Sequence, residues 1–175
     1  MWAFSVMIRV LPKEQRGKKM ERNDEFYMKR AIELAASAVE HGNEPFGAVL
    51  VRDGEIIFEN ENQIYSAHDP TFHAEMGLIR RYCAESAVTD LSDCTLYSSC
   101  EPCFMCCGAM VWTKLGSLVY GASDIELCQI LGVQGAECCR TVFEASGNPI
   151  EVKGGVLREE SLALLQDYFS GHDKG

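Results

Sequence analysis

Between Asn23 and Gly42, apolar residues recur at helical spacing: Tyr27, Ala31, Leu34, Ala35 and Ala38 fall on one face. Asn23 or Asp24 supplies an N-cap and Gly42 ends the pattern, so an amphipathic helix covering a sheet face is expected. The period then changes. Asn43-Glu44-Pro45 turns the chain, and residues 46–51 form an apolar run of strand length. Asp53-Gly54 is a hairpin signal, and the return strand from Glu55 to about Asn60 carries Ile56, Ile57 and Phe58. A polar loop over residues 61–69 leads into a helix that runs to about Ala84. After a turn at Asp93, the pattern predicts a strand over 94–98, a helix from Cys103 to about Thr113 and a strand over 118–120.

Beyond Asp124 the pattern weakens. It predicts short helices over 125–131 and 137–145 and a strand over 150–152. A closing helix from about Glu159 carries Leu162, Leu165 and Phe169. Strands alternating with helices imply α/β layers, with crossovers and a partly parallel sheet. At 175 residues the chain suits one domain. Residues 1–22 read as an N-terminal extension, expected to be poorly ordered: an apolar start gives way to Lys13, Arg16, Lys18 and Lys19, with Pro12 and Gly17 as breakers. Residues 23–175 are then the functional domain.

Composition narrows the function classes. A net charge of −10 repels phosphate backbones, and after residue 30 the basic side chains that stand together are Arg80 and Arg81, so nucleic acid is not the expected partner. No apolar run approaches the ~20 residues of a membrane helix. Nine cysteines is an odd, high number. The apolar start at residues 2–8 lacks the flanks of a secretory leader, so a reducing cytoplasm is expected. There Cys83, Cys94, Cys100, Cys107, Cys128, Cys138 and Cys139 serve as small core residues.

The remaining two cysteines carry chemistry. His73-Ala74-Glu75 and Pro102-Cys103-x-x-Cys106 supply one imidazole and two thiols, a donor set suited to zinc. Three donors leave a tetrahedral position open, as in catalytic rather than structural sites, and water there loses a proton near neutral pH. Glu75 stands where it could carry that proton. Side chains two apart do not share a helix flank, but they converge where a site caps a helix start. Pro70, Thr71 and Pro102 are helix-start signals, so two helix N-termini are expected to point at one metal. A redox Cys pair or half of a four-cysteine site is the alternative, but no second C-x-x-C exists and Cys138-Cys139 has the wrong spacing.

At these motifs the chain resembles the cytidine deaminase-like superfamily, well over residues 23–125 and loosely beyond. The resemblance implies a three-layer α/β/α fold around a five-stranded mixed sheet, with His73, Cys103 and Cys106 as zinc ligands and Glu75 as proton shuttle. Residues 43–49, 68–75 and 99–109, with Trp112, resemble bacterial guanine deaminases; Asp69-Pro70-Thr71 is shared with tRNA adenosine deaminases. The segment from Gly155 through Phe169 looks more like the latter, and the swapped aromatic tail of guanine deaminases is not found here.

By the same resemblance Asn62 holds a ring or sugar oxygen, the alternative being a loop asparagine bonded to its own backbone. Phe46 and Trp112 pack on a base face, or serve as core or dimer contacts. Ala74 completes the substrate contacts, and Glu126 is a second acidic proton-transfer residue or else a solvated helix carboxylate. The expected activity is zinc-dependent hydrolytic deamination of a small amino-bearing nucleobase or nucleoside, guanine or a related purine-like ring first, by a cytoplasmic homodimer. The alternatives are a tRNA adenosine deaminase, a pyrimidine (cytosine) deaminase and a zinc-stabilised interaction module.

Overall fold

The computed structural model describes residues 23–148 and 150–171. The expected N-terminal extension lies outside them. Helix α1 (Asp24–Glu40) is capped by Asn23, whose Oδ1 accepts from the Phe26 amide at 3.1 Å. Strands β1 (Gly47–Arg52) and β2 (Glu55–Glu61) form the hairpin, turned by Asp53 and Gly54, both at positive φ as a tight two-residue turn requires. There follow α2 (Ala74–Ser86), β3 (Cys94–Cys100), α3 (Phe104–Trp112), β4 (Ser117–Ala122), α4 (Asp124–Leu131), α5 (Cys138–Ser146), β5 (Glu151–Lys153) and α6 (Arg158–Gly171). Among the described residues no helix is long and apolar enough to cross a membrane.

The sheet order is β2-β1-β3-β4-β5. β1 runs antiparallel to β2 and β3, whereas β3–β4 and β4–β5 are parallel. This is the expected five-stranded mixed sheet. Alternation along β1 sorts its side chains between two cores. Val49 and Val51 meet Tyr27, Met28, Ala31 and Leu34 of α1, together with Tyr97 and Val119. Ala48 and Leu50 join Leu96 and Leu118 beneath Leu78 of α2, Met110 of α3 and Phe143 of α5. Three layers result. Of the seven cysteines expected in the core, Cys94, Cys100, Cys107, Cys138 and Cys139 are buried, while Cys83 and Cys128 are only half-buried because they sit on partly solvated helix faces.

Two glycines set how closely the helices approach. A Cβ on Gly47 would lie 2.2 Å from the Ala31 carbonyl oxygen, so only glycine lets α1 rest on the start of β1. A Cβ on Gly121 would lie 2.1 Å from Ser161 Oγ, so glycine also admits α6 onto the end of β4. That second contact matters for the site. Parallel strands β3 and β4 end side by side, and the carboxyl ends of parallel strands are where α/β sheets bind ligands.

Candidate active site

Both motif halves lie at helix starts. His73 is the N-cap of α2 and Cys103 the N-cap of α3, each with extended backbone and no side-chain capping bond. An N-cap side chain ordinarily turns back to the first-turn amides. Here the two turn toward each other: Cys103 Sγ is 3.6 Å from His73 Nδ1, and with Cys106 Sγ the donor atoms all lie within 4.8 Å of one another. A tetrahedral zinc with sulfur near 2.3 Å and nitrogen near 2.1 Å separates its donors by roughly 3.5–3.8 Å, so this set fits zinc and leaves one position free.

The loop between β3 and α3 is held from below. Glu101 donates its amide to the Ala122 carbonyl at 2.7 Å. Its buried carboxylate accepts from the Asp124 and Cys139 amides, both at 3.1 Å. Those amides belong to the first turns of α4 and α5, whose positive dipole ends favour a carboxylate there. Pro102 and Cys103 are thereby fixed relative to three helices.

The titrating groups of the cluster are mutually dependent. The Cys106 thiol, assisted by His73, holds Cys103 down to about 4, against the opposing effect of burial. Cys106 is pushed up correspondingly, by Cys103 and by burial, and keeps the proton the pair shares. His73 is raised by its bond to Cys103. A bound cation takes the place of such a proton, which is why metal binding at thiols releases protons.

Glu75 is the second residue of α2 and is buried. Ser98 Oγ donates to its Oε1 at 2.9 Å, and Cys106 Sγ lies 3.7 Å from Oε2. Burial raises the Glu75 carboxyl above its ordinary value, against the opposing pull of its own backbone amide, His73 and Ser98.

A cavity of about 290 Å³ opens on this cluster. His73, Glu75, Cys103 and Phe46 line it, as do Glu44, Glu101 and Asp124. Leu127 and Leu131 of α4 and Phe169 of α6 complete the wall. Among the described residues, no lysine or arginine lines the cavity. Asn62 is fully buried beside Phe46, donating its amide to the Phe46 carbonyl at 2.9 Å. Its Oδ1 accepts from Ile64, a local backbone bond of the expected alternative kind, while its Nδ2 has no protein partner. Ala74 is buried, and its carbonyl accepts from Asn60 at 3.0 Å.

Apart from the metal donors, four expected site residues do not line this cavity: Asn62 and Ala74 are buried next to residues that do, and Trp112 and Glu126 lie elsewhere. Trp112 ends α3 on the outside of the molecule, 88% exposed, because the helix carries it away from the metal cluster at its other end. Glu126 closes a capping box with Ser123 and pairs with Arg158, so its carboxylate serves the start of α4 rather than the cavity. Ser123 is the cap of this helix, and Asp124, its first residue, lines the cavity. Ser98, Glu44, Glu101, Leu127, Leu131 and Phe169 were not legible as site residues, although the pattern Ser123-x-x-Glu126 is itself a readable cap signature.

Comparison with known proteins follows the same lines. The family model for the cytidine and deoxycytidylate deaminase zinc-binding region matches residues 21–122. The chain is 44% identical over 108 residues to guanine deaminase of Bacillus subtilis (strain 168), covering 61% of this chain and 69% of the relative. It is 38% identical over 146 residues to the tRNA-specific adenosine deaminase of the same organism, covering 83% and 88%. Among solved structures, guanine deaminase from Nitrosomonas europaea superposes with a TM-score of 0.74 at 26% identity, over 94% of this chain and 97% of that one.

Proposed function

The chain belongs to the cytidine and deoxycytidylate deaminase zinc-binding family, and we propose that it acts within that family on a free amino-bearing ring or its nucleoside, guanine or a related purine-like ring first. It is a hydrolytic deaminase: water and a ring carbon bearing an amino group yield a carbonyl and ammonia. His73, Cys103 and Cys106 are positioned to hold zinc. Zinc, when bound, supplies a Lewis acid that makes water nucleophilic at neutral pH. Glu75 takes the proton that the attacking water gives up and passes it to a ring nitrogen; it then takes the second proton, from the hydroxyl now on the ring carbon, and gives it to the departing amino group, which leaves as ammonia. Ser98 holds the carboxylate in place for both transfers.

The observation that carries the substrate class is the cavity. Its volume of about 290 Å³ lies at the small end of ligand sites. Phe46, Phe169, Leu127 and Leu131 offer faces to a flat ring, while Glu44, Glu75, Glu101 and Asp124 make the lining acidic. Such a lining repels phosphate and accepts hydrogen bonds from ring N–H and amino groups. The paired Arg80 and Arg81 add no free basic track, since Arg80 meets Asp69 and Arg81 meets Glu85 and Asn60. Support for a second reading, tRNA adenosine deamination, comes from the length of the match to that relative and from α6 at the site. An ammonia-release screen over guanine, adenine, cytosine, their nucleosides, pterins and triazines, with an adenosine-containing anticodon stem-loop alongside, separates the readings. Turnover of the stem-loop with none on free rings would establish the second, and turnover of cytosine alone would discard the purine ring.

The same reading includes a cytoplasmic homodimer. Phe104, Gly108 and Trp112 recur at four-residue spacing along α3, a helix without a charged residue, and Phe104 and Trp112 are 51% and 88% exposed. A second copy covering this stripe removes a large apolar surface from water. Sedimentation should give a dimer that Trp112→Glu converts to monomer.

A further inference from the structure

All nine cysteines are free thiols, and two of them form a close pair that the deamination chemistry does not use. Cys107 of α3 and Cys139 of α5 have their sulfurs 3.6 Å apart, and both are buried. Both face the carbonyl of Pro102: Cys107 Sγ donates to it at 3.1 Å and Cys139 Sγ lies at 3.9 Å. Pro102 immediately precedes the donor Cys103, and Cys107 immediately follows the donor Cys106. The Cys139 amide is one of the two that hold the Glu101 carboxylate. The pair therefore lies beneath the loop that carries two of the three metal donors and is bonded to it at two points.

There is also a way in. Cys139 lines a cavity of about 360 Å³ on the side of Glu101 away from the metal cluster, with Tyr120, Ile125, Phe143 and Ile150 among its walls. Hydrogen peroxide is small enough to enter this cavity, which is separate from the catalytic one, and a small opening of its wall would bring it to the buried sulfur.

We propose that Cys107 and Cys139 are a site of oxidative modification, in which a disulfide between them loosens the metal-holding loop. Hydrogen peroxide oxidises Cys139 Sγ to a sulfenic acid and is itself reduced to water. Cys107 Sγ then attacks that sulfur; its thiol proton leaves with the sulfenic hydroxyl as a second water, and the S–S bond forms. Two thiols and one peroxide give one disulfide and two waters. A bond of about 2.05 Å requires the sulfurs to close by roughly 1.5 Å, which draws the first turn of α5 toward α3. Both S–H groups that face Pro102 are lost, and the amide that holds Glu101 moves with α5. The donor loop then relaxes and grips zinc less tightly. The Cys107 thiol beside it, and then burial, push the Cys139 thiol up, which slows its reaction with oxidant.

The test uses the zinc-loaded full chain treated with excess hydrogen peroxide. Peptide mapping by mass spectrometry should find a Cys107–Cys139 cross-link, and zinc transfer to a chromogenic chelator should quicken by about 10-fold. A thiol reductant should reverse both. Cys139→Ser and Cys107→Ala, each checked for folding by circular dichroism, should form no cross-link and keep their zinc under the same treatment. Two variants are used so that either one alone suffices if the other fails to fold. A Cys103–Cys106 cross-link in place of the expected one, no cross-link at all, a cross-link with unchanged zinc transfer, or equal zinc loss from the variants would each overturn the proposal.

Discussion

Ser98 Oγ donates a hydrogen bond of 2.9 Å to Glu75 Oε1, joining the middle of β3 to the first turn of α2 inside the core. The bond fixes one carboxylate oxygen and leaves the other facing the metal donors, where Cys106 Sγ is 3.7 Å away. Glu75→Gln keeps the shape and removes the transferable proton, so turnover should fall by at least about 10²-fold with zinc retained. Ser98→Ala should cost less, about 10-fold, since the carboxylate remains but swings more freely. Steady-state kinetics with metal analysis on both variants checks this; near-normal turnover in a zinc-loaded Glu75→Gln protein would remove Glu75 from the proton path.

Zinc should depend on three residues together. His73 and Cys103 come from the starts of two different helices, and Cys106 from the first turn of α3. Replacing any one with alanine leaves two donors, too few for a stable zinc site. Each single variant should purify with little zinc and no activity, as metal analysis would reveal. Full zinc and activity in Cys103→Ala would contradict the donor assignment.

Much of this was readable because local rules and the fold agree. The α1 period, the Asp53-Gly54 turn and the start of α3 after Pro102 each act over a few residues and are where the spacing puts them, whereas Pro70 lies in a turn ahead of α2, which begins at Ala74. What was not readable depends on docking. Phe169 has the spacing of an ordinary core residue of α6, and it reaches the catalytic cavity only because Gly121 admits Ser161 onto β4. Asp124 reaches it because Ser123 takes the cap, which turns a plain helix carboxylate into a cavity wall. Trp112 failed as a ring contact for a geometric reason. Its spacing from Cys103 spans the whole of α3, so the helix that brings one to the metal takes the other away.

The lower edge of the sheet should give an acid-dependent stability. Asp24, at the start of α1, accepts from Tyr97 at 2.8 Å on Oδ1 and from Lys153 at 2.6 Å on Oδ2. The Lys153 bond, with that from Tyr97, holds the Asp24 carboxyl below its ordinary 3.8. A depressed folded value means the stabilisation is fully present above about 3.8 and is lost as pH falls through the folded value. Asp24→Asn should therefore destabilise the chain by roughly 1 kcal/mol at neutral pH, a figure kept low because the ion pair is partly solvated. Denaturant melts of both proteins should converge as pH falls below the ordinary 3.8 and through the lowered folded value. A constant difference at every pH would mean that the aspartate acts through packing and not through its charge.

The last prediction separates ring binding from proton transfer. Asn62 Nδ2 is a buried donor without a protein partner, an arrangement that costs about 1–3 kcal/mol unless a ligand accepts from it. Its neighbour Phe46 lines the cavity together with Phe169, and both offer apolar surface to a ring there. If a ring oxygen or nitrogen accepts a hydrogen bond from Asn62 Nδ2, Asn62→Ala should lower kcat/KM by about 10–100-fold on the preferred ring, with zinc retained. Phe169→Ala should instead raise KM with kcat little changed, since stacking holds substrate and transition state alike. Comparing guanine with an analogue lacking the ring oxygen sharpens the reading: wild-type protein should discriminate between them, and Asn62→Ala should lose most of that preference. Equal loss on both rings would show that Asn62 supports the loop through Ile64, and the substrate-binding role would then fall to the residues that line the cavity.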